Sequence, residues 1–100
     1  MGKTLIVDDM KEVYDKISRH LKGDYAPTLE EALKRINSGE YDNVVTDYHL
    51  GDESPQGGLE VARTAKERGL FVILMSRENH IKEAEELGVV FRFKKELMEN

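Results

Sequence analysis

Three aspartates and one hydroxyl each follow a run of apolar residues in this chain. Asp8 and Asp9 end Leu5-Ile6-Val7, Asp47 ends Val44-Val45-Thr46, and Ser76 ends Leu70 to Met75. Two lysines, Lys94 and Lys95, follow a last, mostly apolar stretch, Val89 to Phe93. Carboxylates crowded into one crevice repel each other and hold raised pKa values unless a cation joins them. With oxygen donors only, and no cysteine in the chain, the expected cation is Mg²⁺, which takes few protein carboxylates and keeps several waters. A hydroxyl and an ammonium group opposite the metal would cradle phosphate oxygens. That set suits phosphoryl transfer: an acidic nucleophile, a metal against developing charge, and fixed donors for the equatorial oxygens.

The elements that must bring these groups together alternate strand and helix. Thr4 to Val7 reads as a strand buried on both faces. Val13, Tyr14, Ile17 and Leu21 then recur at helical spacing between Met10 and Leu21, and Gly23 suits the stop. Tyr25-Ala26 is a short strand, placed at an edge by Pro27. Thr28-Leu29-Glu30-Glu31 is a capping box for a second helix carrying Leu29, Ala32, Leu33 and Ile36 on one stripe. Asn43 to Thr46 is the strand that delivers Asp47, and residues 51–57 form the loop after it. Leu59, Val61, Ala62 and Ala65 continue as a third helix ended by Gly69. Leu70 to Met75 is the clearest strand, a fourth helix runs from about Asn79 to Leu87 before Gly88, and Val89 to Phe93 is the last strand.

Strand and helix in alternation call for a mostly parallel sheet with right-handed crossovers. In such a sheet the carboxyl ends of the strands share one edge, where ligands bind. Five strands and four helices fit the length, and too few residues remain for a fifth helix.

Composition narrows the function. One hundred residues make a single domain over 1–100. Hydrophobic residues at 39% and charged ones at 35% describe a globular protein with an ionic surface. A net charge of −5 argues against nucleic acid and anionic membrane as partners. The apolar run from Leu70 to Met75 is far too short to span a bilayer, and no signal-peptide pattern opens the chain. A cytoplasmic protein is the expectation.

Taken singly, each candidate has an ordinary explanation. Asp8 and Asp9 would do as strand-end or capping acids, Asp47 as a turn cap, Ser76 as the N-cap of the fourth helix, and the lysines as a basic tail. His20 and His80 read as surface helix residues. The ordered set carries more weight than its members, and in that order the chain resembles the receiver domains of two-component response regulators over nearly its whole length. The resemblance implies a flavodoxin-like, doubly wound α/β fold with a parallel five-stranded sheet in the order 2-1-3-4-5. It implies that Asp47 is the phosphoacceptor, that Asp9 binds Mg²⁺ directly and Asp8 through water, and that His49 lends its backbone carbonyl. Ser76 matches the family's hydroxyl, and Lys95 or Lys94 its lysine.

Counting seven residues on from Gly88 selects Lys95. Choosing Lys94 instead puts Arg92 where the family buries an aliphatic residue, a costly exchange. Lys95 is therefore the first choice and Lys94 the second. With Lys95, Arg92 stands at the family's aromatic switch position and Glu96 replaces its proline. Arg77 follows Ser76, where a small residue is usual. A missing fifth helix leaves one sheet face open, and a homodimer or tight partner is expected to cover it.

The resulting expectation is a signalling phosphoacceptor rather than an enzyme. It takes a phosphoryl group from a histidine kinase or phosphotransfer protein, needs Mg²⁺, and signals to an output partner by protein contact. The alternative is a pseudo-receiver, an interaction module with little or no phosphorylation. A phosphatase of the haloacid-dehalogenase type is disfavoured, because His49 stands where a second Asp is usual and no cap domain fits the length.

Overall fold

The strand tips that hold the candidate groups belong to one parallel sheet. The computed structural model describes residues 2–99. Its elements are β1 (Thr4–Val7), α1 (Lys11–Ser18), β2 (Asp24–Ala26), α2 (Leu29–Asn37), β3 (Asn43–Asp47), α3 (Gly57–Glu67), β4 (Phe71–Ser76), α4 (Ile81–Leu87), β5 (Val90–Phe93) and α5 (Lys94–Met98). The five strands lie in the order β2-β1-β3-β4-β5, all parallel. This is the order expected for a flavodoxin-like fold, with β2 at an edge.

The interior strands are apolar because both of their faces are covered. On one face Ile6, Val45 and Met75 pack under Val13 and Ile17 of α1. On the other, Leu5, Val7, Val44 and Val72 meet Ala32 and Ile36 of α2 and Val61, Ala62 and Ala65 of α3. The stripe spacing read for α2 is borne out, since Ala32 and Ile36 are the buried residues of that helix. Thr28 caps it, its Oγ1 accepting from the Glu31 N–H at 3.1 Å. The reciprocal half of the capping box is absent, because Glu31 turns instead to Arg35 Nε at 2.9 Å. Gly88 closes α4 in the left-handed conformation at φ 74°, a position that strains any side chain.

One expectation fails here. A fifth helix exists, five residues long. It starts directly after β5 because Glu96 reaches back to accept the Phe93 N–H at 3.0 Å, satisfying a helix-start donor. Leu97 and Met98 of α5 pack on the cluster of Ile6, Ile17 and Met75. The open sheet face that argued for a homodimer or tight partner is therefore partly closed by α5, which narrows the surface such a partner would cover.

Gly58 fixes how the site is held. A Cβ on Gly58 would overlap the carbonyl oxygen of Asp47 and crowd Tyr48 Cα. The Gly58 N–H donates to the Tyr48 carbonyl at 2.9 Å. Glycine thus lets the start of α3 press against the tip of β3 and hold the backbone that carries Asp47.

Candidate functional site

Asp8, at the tip of β1, is fully buried, and Asp47, at the tip of β3, is 5% exposed. Asp9 is exposed beside them. The carboxylate oxygens of Asp8, Asp9 and Asp47 come within 4.8 Å of one another. The convergence expected of acids distant in sequence is therefore present. The Met10 N–H donates to Asp8 Oδ1 at 2.8 Å, which fixes that carboxylate. The loop after Asp47 folds back over the acids, so that a Cβ on Gly51 would lie 3.8 Å from Asp9 Oδ2.

The lysine in the site is Lys94, and the choice of Lys95 is corrected. Lys94 is 4% exposed. Its Nζ donates to Asp47 Oδ2 at 2.8 Å and stands 3.1 Å from Asp8 Oδ2. Lys95 turns to the surface, 80% exposed, and its Nζ lies 4.0 Å from Glu99. Lys94 is disfavoured by the sequence only if Arg92 is buried. Arg92 pairs with Met75 on the α1 face of the sheet, yet the short α5 leaves it exposed, its Nη1 donating to the Phe91 carbonyl at 2.9 Å. The Arg92 charge stays in solvent, so that cost never arises.

With Lys94 in the site, the aromatic position of the resemblance falls one residue earlier. Three residues before Lys94 stands Phe91, half-buried against Tyr48, Leu74 and Ala84. Arg92 is thus not at that position.

Ser76 ends β4 and is buried. Its Oγ accepts from the Glu78 N–H at 3.1 Å, which leaves its own hydroxyl hydrogen free to donate. It does not cap α4, because that helix starts later, with Asn79 Oδ1 accepting from the Ile81 N–H at 2.9 Å. His49 and Arg77 are exposed and line the same crevice as Asp9, Asp47, Ser76 and Lys94, a space of about 500 Å³.

The electrostatics are unbalanced. Burial pushes the Asp8 carboxyl up to about 6; the nearby charge of Asp47 adds to the rise, and the Met10 N–H and Lys94 oppose it. Asp47 is also raised, by burial first, against the hydrogen bond and charge of Lys94. One ammonium group faces three acids, and Asp8 Oδ2 is buried without a hydrogen bond, since Lys94 approaches it off the bonding direction. An all-oxygen cluster with a buried, unsatisfied carboxylate oxygen fits a small hard cation such as Mg²⁺.

One contributor escaped the sequence reading. His80 is not a surface helix residue: it lies flat on Tyr48 with ring centroids 3.6 Å apart, and it lines the crevice. The only signal for it was position, four residues beyond Ser76 in the loop before α4. His20 is exposed, as expected.

No protein-family model and no curated protein matches the chain. Solved structures do. The N-terminal domain of an uncharacterized protein from Wolinella succinogenes is 28% identical, with 98% of this chain and 89% of that one covered and a TM-score of 0.71. The N-terminal domain of a response regulator/sensory box/GGDEF 3-domain protein from Carboxydothermus hydrogenoformans is 20% identical, with 93% and 82% covered and a TM-score of 0.76. Vibrio cholerae chemotaxis protein CheY4 is 18% identical, with 93% and 84% covered and a TM-score of 0.73. The chain has the fold of response-regulator receiver domains.

Proposed function

We propose that the chain is a receiver-type phosphoacceptor, with Asp47 as the residue that takes the phosphoryl group. The observation that carries this reading is the placement of Asp47: a buried strand-tip carboxylate held by Lys94 at 2.8 Å, with two further acids in reach. The donor is a phosphohistidine on a kinase or phosphotransfer protein. An Asp47 oxygen forms the new bond to phosphorus, the phosphorus–nitrogen bond breaks, and the imidazole leaves. Burial raises the Asp47 carboxyl, and the hydrogen bond and charge of Lys94 oppose that rise and favour the ionised nucleophile.

Asp8, Asp9, Asp47 and the backbone carbonyl of His49 would hold Mg²⁺. When bound, it supplies positive charge against the phosphoryl oxygens and relieves the repulsion among the acids. Lys94, released from sharing between Asp8 and Asp47, turns to one phosphoryl oxygen, and the free hydroxyl hydrogen of Ser76 serves another. Both donors then have a partner that exists only in the phosphorylated state, and that difference shifts the equilibrium between two conformations. The chemistry is confined to the chain's own Asp47, without turnover of a separate substrate. Output passes by protein contact, in the cytoplasm where the donor kinase presents its phosphohistidine.

Intact-mass measurement after incubation with acetyl phosphate and Mg²⁺ tests this. Gain of one phosphate by the wild type, lost in Asp47→Asn and without Mg²⁺, is the expected result. No gain in the wild type would overturn the reading.

A further inference from the structure

His80 and Glu83 take no part in phosphoryl acceptance, yet they stand together at the crevice that holds Asp47. His80 is the last residue before α4, its side chain 17% exposed. Its ring lies within 5° of parallel to the Tyr48 ring, which fixes the ring plane. Nδ1 lies 3.1 Å from Glu83 Oε2. The Tyr48 hydroxyl donates to the same oxygen at 3.2 Å.

The tautomer follows from the partner. Glu83 is held below the usual carboxylate range, first by its hydrogen bond with His80, and an ionised carboxylate only accepts. Nδ1 therefore carries the proton and the neutral ring keeps its lone pair on Nε2. A stacked ring, a carboxylate behind Nδ1 and an Nε2 that makes no hydrogen bond, in a ring lining the crevice of Asp47, make up the arrangement of an oriented general base. The charged groups around the ring are Glu83 on α4 and Glu78 in the preceding loop, the latter 4.0 Å from Nε2. Tyr48 covers one face from β3's side, and Asp47, His49 and Arg77 share the crevice.

We propose that His80, oriented by Glu83 and Tyr48, is the general base for the water that hydrolyses the phosphoryl group on Asp47, and so sets how long the signal lasts. This rests on the phosphoacceptor reading and adds the off-step to it. The water oxygen forms a bond to phosphorus while the bond from phosphorus to the Asp47 oxygen breaks. Asp47 returns as a carboxylate, the water's proton passes to His80 Nε2, and inorganic phosphate leaves.

The test is the decay of the phosphorylated protein, loaded with acetyl phosphate and Mg²⁺, desalted, and followed by intact mass between about pH 5 and pH 8, the range in which histidine titrates. His80→Phe keeps a ring on Tyr48 without the nitrogen, and Glu83→Gln keeps His80 without its charge partner. Wild-type decay is expected to quicken as the imidazole loses its proton. His80→Phe is expected to slow it on the order of 10²-fold, the low end of general-base contributions, and to flatten the pH profile. Glu83→Gln is expected to slow the decay by a smaller factor than His80→Phe, because the ring loses the carboxylate that orients Nδ1. Loaded wild type that decays at the same rate and with the same pH profile as His80→Phe overturns the base alone, and a decay unchanged by Glu83→Gln overturns the orienting role of Glu83. A wild type that gains no phosphate overturns the base and the phosphoacceptor reading together.

Discussion

Two clusters of acids and bases occupy opposite ends of the sheet, and they are built on different terms. At the amino ends of the strands, Lys3 lies 3.3 Å from Glu40 and 3.9 Å from Asp24. Tyr41 donates to Asp24 at 2.7 Å and accepts from Arg35 at 3.0 Å, while Arg35 also pairs with Glu31. Each of these acids has a donor, and the Lys3, Asp24 and Glu40 side chains are about half exposed. At the carboxyl ends, Asp8, Asp9 and Asp47 share Lys94, and Asp8 and Asp47 are buried. The first cluster is satisfied and solvated. The second is largely buried and short of positive charge, the kind of arrangement that clusters at functional sites.

The sharpest way to test that contrast is Asp8→Asn. Asp8 has its folded pKa raised to about 6 from 3.8, so the folded state holds the proton more tightly than the unfolded one. Stability is then greatest below the unfolded value and falls as pH rises through that window, by about 3 kcal/mol at about 1.4 kcal/mol per pH unit. Asp47 adds a slope of the same sign. Asp8→Asn keeps an acceptor for the Met10 N–H and is expected to stabilise the protein by about 2–3 kcal/mol at pH 7. Urea unfolding at pH 7 and pH 4 reads this, with the gain gone at the lower pH. An acid cluster in balance would show no gain.

Lys94→Met comes next. Breaking a dry ion pair removes about 3–5 kcal/mol, but here the acids can take up a proton instead, so a loss of about 2 kcal/mol at pH 7 is expected, shrinking as the pH falls. Lys95→Met, at the neighbouring exposed position, is expected to stay within about 0.5 kcal/mol.

At the satisfied end the effects are smaller. Tyr41→Phe removes a hydroxyl that both donates and accepts, and is expected to lower stability by about 1 kcal/mol. Lys3→Ala breaks only exposed pairs and is expected to change stability by less than about 0.5 kcal/mol in thermal or urea unfolding. A larger effect from Lys3 than from Lys94 would reverse the contrast.

Much of this was legible in the residues, and the failures share a cause. The strands showed because parallel strands covered on both faces read as unbroken apolar runs, and Asp8, Asp9, Asp47 and Ser76 showed because each sits where such a run stops. The short α5 was not legible, since five residues cannot display a helical period. Its one local signal was Glu96, three residues after Phe93 and placed to accept that residue's N–H. Missing α5 also misdirected the lysine: whether Arg92 is buried depends on how much sheet α5 covers, which spacing does not encode. The stack of Tyr48 on His80 joins residues far apart in the chain, and nothing local announces it.

The most direct measurement is the amide and side-chain NMR spectrum of the protein on titration with beryllofluoride and Mg²⁺, a mimic of the phosphorylated aspartate. Shifts concentrated at Asp8, Asp9, Asp47, Ser76 and Lys94, with the Lys3, Asp24, Glu40 and Tyr41 resonances unmoved, are the expected result. A spectrum unchanged at saturating mimic, or one that moves only at the solvated end, would contradict the assignment of the buried acid cluster as the phosphoryl site.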